Sequence, residues 1–257
     1  MFPIRDDNPH FLTPYVTFAI IGVNALVWLA IQGMGSEPSL SQSVCTLGLI
    51  PGEVLGTLPA GTRFELGPGA ACVLGGSSWH TIVTSMFLHG GWLHILSNMW
   101  FLWIFGNNVE DSMGHARFAI FYLLCGLAAA ALQMAADPRS GVPMVGASGA
   151  IGGVMGGYVL LYPRVRVHML IFLGFFVTTV AVPAVFMLGY WFLLQLLGGF
   201  GSVAGEGGGV AFWAHIGGFV AGALLITIFR DPVLLARHPY HGWRQGNSPS
   251  QPWRRTR

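Results

Sequence analysis

The chain has 257 residues, of which 53% are hydrophobic and only 9% are charged. A soluble domain carries about 25% charged residues, so this composition excludes an ordinary soluble protein and predicts a polytopic membrane protein. All twelve basic residues are arginine, and a net charge of +2 gives no indication of a nucleic-acid partner.

Six apolar segments follow one another along the chain, each close to the ~20 residues that cross a hydrocarbon layer of ~30 Å. They lie at residues 15–33, 92–110, 117–135, 147–162, 178–198 and 211–229. The fifth has an open beginning, since residues 167–198 are apolar throughout. The fourth is short and starts in glycine, which a span tolerates where protein and water cover its end. We therefore predict an all-α bundle of six transmembrane helices.

The arginines predict the orientation of this bundle. With six spans, ten of the twelve arginines fall on the side of the two termini, and only Arg63 and Arg139 fall on the other. Because basic residues are retained in the cytoplasm, we expect cytoplasmic N- and C-termini.

The topology divides the chain into a cytoplasmic N-terminal segment at 1–14, a membrane domain at 15–230 and a tail at 231–257. The tail is rich in Arg, Pro and Ser, and we expect it to be disordered. It either anchors the topology or also touches anionic lipid. The membrane domain contains one long external loop, at 34–91.

Two of the three cysteines, Cys45 and Cys72, lie in this external loop, and Cys125 lies in the third span. On an oxidising face of the membrane the loop pair has two interpretations. Either the two thiols form a disulfide, or they are ordinary small residues. Cys125 is expected to be a packing residue.

Polar residues at membrane depth are rare in this chain and are candidates for function. They are His94 and Asn98 in the second span, Ser148 at the head of the fourth and His215 in the sixth, with His89 just before the second. His94 and Asn98 are four residues apart and share a helix face. Each alone is explained by a satisfied buried hydrogen bond, but together they indicate a site.

These residue types fit nucleophilic catalysis. A serine needs a base, which is most often histidine, and a developing oxyanion needs fixed N–H donors. Asparagine, histidine and the free backbone N–H groups at the start of the fourth span are such donors. No carboxylate is available at depth, so the sequence predicts a Ser–His dyad of Ser148 and His215.

Glycines provide a way to bring the dyad together. They recur every four residues from Gly149, and Gly218 and Gly222 follow His215 with the same spacing. Small residues at this spacing let membrane helices approach closely. The pattern is consistent with helix packing alone, or with packing that carries His215 to Ser148.

Three motifs, G-A-S-G-A-I-G-G, H-G-G-W-L-H-I-L-S-N-M-W and A-H-I-G-G-F-V-A-G, resemble the rhomboid family of intramembrane serine proteases. The resemblance runs from about Trp79 to Phe229, and the six-span form is similar to the common bacterial type. It implies an integral protein of the bacterial inner membrane. It also implies cleavage of single-pass transmembrane substrates near the outer membrane face, without metal or cofactor.

The resemblance also assigns roles to residues. It implies Ser148 as nucleophile, His215 as general base, and Asn98, His94 and the backbone N–H of Ser148 as the oxyanion hole. It implies a structural role near the site for a further set of residues, and a helix-tying role for Glu110. That set is His89, Gly146, Gly149, Gly218 and Gly222.

Two positions depart from the family pattern. Trp79 is followed by His80 where many members have arginine, and Gly152 stands where some members carry an aromatic residue against the base histidine. Phe219 and Phe212 are candidates to hold His215 instead. The Gly-rich stretch at 198–209 resembles a mobile cap over the site, or is a plain connector.

Two other functions fit parts of the sequence. A catalytically silent member of the same family would bind membrane clients, although such members usually lack the serine or the histidine. A transporter would also bury polar groups at depth, but it predicts broken helices in paired halves, and the sequence shows no such symmetry.

Overall fold

The structure is a computed structural model and describes residues 2–67, 70–75, 78–174, 176–203 and 210–241. Most of these residues are helical, and six helices have 14 residues or more. The helices in chain order are α1 (Tyr15–Ala30), α2 (Ser39–Leu47), α3 (Pro51–Val54), α4 (Thr81–Thr84), α5 (Trp92–Met113), α6 (His115–Ala136), α7 (Ser148–Leu161), α8 (Ala184–Val203), α9 (Phe212–Phe229) and α10 (Pro232–Leu235).

Five strands accompany the helices within the described ranges, so the expectation of an all-α protein is wrong in detail. They are β1 (Phe2–Asp6), β2 (Arg63–Gly67), β3 (Ala70–Val73), β4 (Arg166–Leu173) and β5 (Phe176–Pro183). β1, β4 and β5 form an antiparallel sheet in that order, and β2 and β3 form a separate antiparallel pair between α3 and α4.

The fifth apolar segment starts as strands and only then becomes a helix, so the predicted start of this helix is wrong. The helix begins at Ala184 rather than at residue 178, and the apolar residues before it form the β4–β5 hairpin. A continuous apolar run does not by itself separate a buried helix from strands. The run 176–182 is rich in valine and threonine, which favour strands, and Pro183 cannot occupy a helix interior.

In the part of the chain that the structure describes, three helices are long and apolar enough to cross a membrane: α6, residues Ala184–Ser202 of α8, and α9. α1 and α7 are apolar but shorter, with 16 and 14 residues. Five of the six long helices begin and end within a few residues of the apolar segments in the sequence, and α8 is the exception.

Helices α7 and α9 pack backbone to backbone through their glycines. A methyl group added at Gly218 would collide with the carbonyl oxygen of Gly149, and one at Gly222 with that of Gly153. Helix α6 covers the other side of α7, where the Ala129 Cβ would lie only 2.6 Å from a Cβ at Gly149. The glycine spacing is therefore used for close helix contact, as its sequence pattern predicts.

The end of α5 carries two buried carboxylates that hold the start of the chain. Glu110 accepts hydrogen bonds from the backbone N–H groups of Val16 (2.9 Å) and Thr17 (2.8 Å), and Asp111 accepts those of Phe11 (2.7 Å) and Leu12 (2.8 Å). Free N–H groups at a helix N-terminus favour a carboxylate partner. Glu110 thus ties the start of α1 to the end of α5.

The beginning of the tail is folded, contrary to the prediction of disorder for 231–257. Asp231 caps α10 through the N–H of Val233 at 2.8 Å, and the buried His238 lies with its Nε2 3.0 Å from an Asp111 oxygen. The anchor is therefore a buried polar contact, which composition alone does not reveal. Residues 242–257 of the predicted tail lie outside the described part of the chain.

A disulfide links two parts of the segment between α1 and α5. Cys45 at the end of α2 and Cys72 in β3 form a disulfide, with Cα atoms 5.3 Å apart. Cys125 is free and buried in α6, in the core beside α7. The first of the two interpretations of the loop pair is the one that the structure contains.

Candidate active site

The head of α7 and the first turn of α9 meet at a serine and a histidine. The Oγ of Ser148 lies 2.8 Å from the Nε2 of His215, although 67 residues separate them in sequence. Their helices are held at this distance by the glycine contacts described above. Both side chains are half-buried, so a substrate group can approach them.

The approach to Ser148 is shaped by Gly146. This glycine has a φ of +128°, which favours a residue without Cβ, and its N–H donates to the Ser85 carbonyl at 2.9 Å. A Cβ at this position would lie 2.7 Å from the Nε2 of His94 and 3.4 Å from the Oγ of Ser148. Gly146 thus leaves open the space between the histidine ring and the serine.

His94 and Asn98 present N–H donors to that space. The Nδ1 of His94 accepts the N–H of Gly90 at 3.2 Å, so a neutral ring carries its proton on Nε2, the nitrogen nearest Gly146. Asn98 lies one turn further along α5, and its buried Nδ2 has no partner among the described residues. Because Asn98 also lines the cleft, this donor is available to a group that binds there.

His89 is fully buried behind the site. Its ring packs edge-on against His94, with centroids 5.1 Å apart. Its backbone is clamped by Gln32 at the end of α1, which accepts the His89 N–H and donates to the His89 carbonyl, both at 2.8 Å. The contacts of His89 are those of a residue that supports His94.

A cavity of about 430 Å³ opens over these groups. Its lining includes His94, Asn98, Ser148 and His215, with Phe101 and Trp191 on its walls. A second cavity, of about 370 Å³, adjoins it and shares the wall residues Pro143, Met144, Val210 and Ala211. The site is thus an open cleft that continues into a neighbouring cavity.

Two residues of α8 at the site were missed by the sequence analysis. The Oε1 of Gln195 lies 2.7 Å from the Nδ1 of His215, and the ring of Trp191 lies against the imidazole with centroids 5.9 Å apart. Phe219, one of the two aromatic candidates, packs on Trp191 instead, with centroids 6.0 Å apart. The signal was a glutamine in an apolar segment, a polar group at depth that deserved the same weight as Asn98.

Trp191 occupies the room that Gly152 leaves. A Cβ at Gly152 would lie 3.7 Å from the Trp191 ring and 3.1 Å from the His215 carbonyl oxygen. The aromatic partner of the histidine therefore comes from α8 rather than from α7. Of the Gly-rich stretch at 198–209, residues 198–203 are the last turns of α8, and residues 204–209 lie outside the described part of the chain.

Comparison with known proteins agrees with this geometry. The family model described as the Rhomboid domain matches residues 76–232, more than half of the chain. The chain belongs to the rhomboid family. This membership and the apolar helices together indicate an integral membrane protein.

Rhomboid relatives come from several kinds of organism. RHOMBOID-like protein 4 of Arabidopsis thaliana is 33% identical over 178 residues, which cover 69% of this chain and 39% of that protein. Putative rhomboid protease YdcA of Bacillus subtilis is 29% identical over 153 residues, 58% of this chain and 63% of that one. Rhomboid-like protease 5 of Toxoplasma gondii is 32% identical over 152 residues, 56% of this chain and 15% of that one.

The chain spans between 30% and 50% of the length of the first three plant relatives. Some relatives are named as proteases and others only as rhomboid-like proteins. The activity therefore has to be argued from the site of this chain.

Proposed function

We propose that this rhomboid protein is an intramembrane serine endopeptidase that uses Ser148 and His215 as a dyad. The observation that carries the proposal is the 2.8 Å contact between the Ser148 Oγ and the His215 Nε2 at the floor of an open cleft. A serine becomes a nucleophile when a base takes its proton, and this contact has the length that such a transfer requires.

The reaction follows from the two side chains. The Ser148 Oγ bonds to the scissile carbonyl carbon while its proton moves to the His215 Nε2. When the C–N bond breaks, His215 gives this proton to the leaving amine. Water then attacks the acyl-serine, His215 takes its proton, and the carboxylic acid leaves as Ser148 recovers its hydrogen.

The oxyanion that forms in each half needs donors that are already in position. The donors we propose are the Nδ2 of Asn98, the Nε2–H of His94 and the backbone N–H of Ser148, since all three residues line the cleft and the Asn98 Nδ2 has no partner in the described residues. Such donors stabilise charge most where water is excluded. Their arrangement supports a role as the oxyanion hole, with His89 and Gly146 as structural support.

We further propose six membrane spans with both termini in the cytoplasm, in a bacterial inner membrane. The arginine distribution supports this orientation, and it puts the cleft near the outer face. The substrates are then single-pass transmembrane proteins that enter from the bilayer. A helical peptide bond is shielded, so small or helix-breaking residues are expected at the cleavage site.

The experiment uses the purified full chain in liposomes with a single-pass test substrate and a serine-directed fluorophosphonate probe. We expect the parent chain to cut and to be labelled at Ser148, and both signals to vanish in Ser148→Ala. His215→Ala should lose both by at least about 10³-fold, because the unassisted hydroxyl is a poor nucleophile.

Leu194→Ala is the control, since Leu194 is exposed on α8 and outside the cleft lining. Cleavage that survives in both dyad variants contradicts the assignment of the site. A parent chain that binds the substrate but neither cuts it nor takes the probe contradicts the protease function and supports a client-binding protein.

A further inference from the structure

Helix α8 supplies the dyad histidine with a hydrogen-bond partner that the Ser–His scheme does not contain. Gln195 is only 9% exposed, and its Oε1 lies 2.7 Å from the Nδ1 of His215, on the side of the ring opposite to Ser148. The two ring nitrogens are therefore both engaged, one by an amide and one by the serine hydroxyl.

The orientation of the Gln195 amide follows from its second contact. Its other terminal atom lies 3.3 Å from the backbone carbonyl oxygen of Trp191, one turn earlier in α8. A carbonyl oxygen only accepts, so the atom that faces it is the NH₂ group. The amide oxygen must then face His215, and this assignment rests on the helix rather than on the histidine.

The amide oxygen in turn selects the form of the imidazole. An oxygen acceptor at 2.7 Å requires the proton on Nδ1, and a neutral ring then has a lone pair on Nε2. The lone pair points at the Ser148 Oγ, 2.8 Å away, in the form that a general base needs. The opposite tautomer would leave Nε2 protonated and Nδ1 facing an acceptor without a hydrogen.

We propose that Gln195 is a positioning residue that fixes the tautomer and the ring orientation of His215. The inference rests on the proposed function. In it, the neutral amide of Gln195 takes the place that a carboxylate has in a Ser–His–Asp triad. A neutral orienter suits membrane depth, because an ionised carboxylate there is expensive to bury. Trp191 completes the arrangement by packing on the ring from the same helix face, four residues earlier.

The experiment compares Gln195→Leu and Gln195→Glu with Leu194→Ala in liposomes. Leucine fills a similar volume without an acceptor, whereas glutamate keeps an oxygen towards Nδ1 whether or not it is ionised. We expect kcat to fall by about 10- to 100-fold in Gln195→Leu with KM unchanged, a part of the 10²–10⁴-fold that a general base contributes. Gln195→Glu should recover most of that loss, and Leu194→Ala should match the parent chain.

A spectroscopic measurement tests the tautomer without any activity. In the parent chain labelled with ¹⁵N-histidine, the His215 signals, assigned by their loss in His215→Gln, should be those of the Nδ1–H form. In Gln195→Leu they should move towards the Nε2–H form or a mixture. Unchanged signals, or equal kcat values for the leucine and glutamate variants, would overturn the positioning role.

The two measurements separate the proposals. If the parent chain neither cuts nor takes the probe, yet its His215 signals depend on Gln195, the protease function fails and the positioning role stands. If the parent chain cuts and the tautomer ignores Gln195, the protease function stands and the positioning role fails.

Discussion

Two clusters of polar groups are buried at opposite ends of α5, and they differ in how completely they are paired. At the C-terminal end, all four carboxylate oxygens of Glu110 and Asp111 have partners within 3.0 Å. At the N-terminal end, the buried Nδ2 of Asn98 has no partner among the described residues. One helix thus carries a pair of satisfied carboxylates and an unpaired amide donor.

The difference shows which cluster stabilises the fold and which is kept for a ligand. A buried donor that lacks a partner costs stability, commonly about 1–3 kcal/mol, and persists where another molecule completes it. The carboxylates of Glu110 and Asp111 avoid this cost, because donors from the first turn of α1 and from the residues before it complete them. Mutations in the two clusters should therefore affect different properties.

The largest change in stability is expected when the Glu110 carboxylate is removed. Glu110→Ala removes the acceptor of the Val16 and Thr17 N–H groups and leaves these donors buried. We expect a loss of about 3–5 kcal/mol in the free energy of unfolding, measured by steric trapping in detergent micelles. Glu110→Gln, which keeps one oxygen, should lose less. Cleavage per folded molecule should be unchanged, since Glu110 lies ~18 Å from Asn98 along α5.

Asn98→Ala should lower kcat and leave the stability of the fold intact, the reverse of Glu110→Ala. We expect kcat to fall by about 10²–10³-fold, equivalent to about 2.7–4 kcal/mol, because one oxyanion donor is lost. The free energy of unfolding should stay the same or rise, since the Nδ2 group has no partner to lose. Leu96→Ala, on the exposed face of α5, is the matched control. If Asn98→Ala unfolds more easily but keeps its kcat, then Asn98 stabilises the fold and is not an oxyanion donor.

The disulfide between Cys45 and Cys72 offers a further way to change stability without changing the site. Removal of the link in Cys45→Ala/Cys72→Ala should cost about 2–4 kcal/mol, because 27 residues separate the two cysteines. Neither cysteine lines the cleft, so kcat at a temperature where the variant is folded should equal that of the parent chain. A reducing agent should destabilise the parent chain and leave the variant unaffected.

A pH-dependent effect, which is the smallest per pH unit and accumulates over the window between two pKa values, concerns the carboxyl group of Asp6. Burial raises the pKa of the Asp6 carboxyl to about 7, although a hydrogen bond from the Tyr158 hydroxyl opposes the shift. Between pH 4 and 7 the folded chain then holds a proton that the unfolded chain has released. Stability should fall as pH rises through this window, by at most about 1.4 kcal/mol per pH unit, and level off above pH 7.

Asp6→Asn isolates this contribution from the other titrating groups. The difference in unfolding free energy between the parent chain and the variant should depend on pH below 7 and become constant above it. A difference that is flat from pH 4 to 8 would contradict a raised pKa.

The sequence predicted the parts of the fold that depend on local pattern. Apolar length predicted most of the helices, and glycine spacing indicated that α7 and α9, which carry Ser148 and His215, pack closely. It did not predict the β4–β5 hairpin, because the same apolar residues suit a helix or a strand, and β1 is its distant partner. Nor did it predict the folded start of the tail, which depends on one buried contact of His238.

The site divides in the same way. Ser148, His215, Asn98 and His94 belong to recognisable motifs, and the structure brings all four to one cleft. Gln195 belongs to no motif, and its role depends on a contact between α8 and α9. The orientation of one helix against another is a property of packing, and residue spacing within either helix carries no trace of it.

The pairing of β1 with β4 sets an order of assembly. Phe2 precedes its partner Leu170 by 168 residues, and four of the long helices are synthesised between them. The first strand therefore has to wait beside the membrane until most of the bundle has been inserted. Its docking, with Phe2 against Trp100 of α5, is then a late event in biogenesis, and a bulky fusion ahead of Phe2 would obstruct that last step while leaving helix insertion intact.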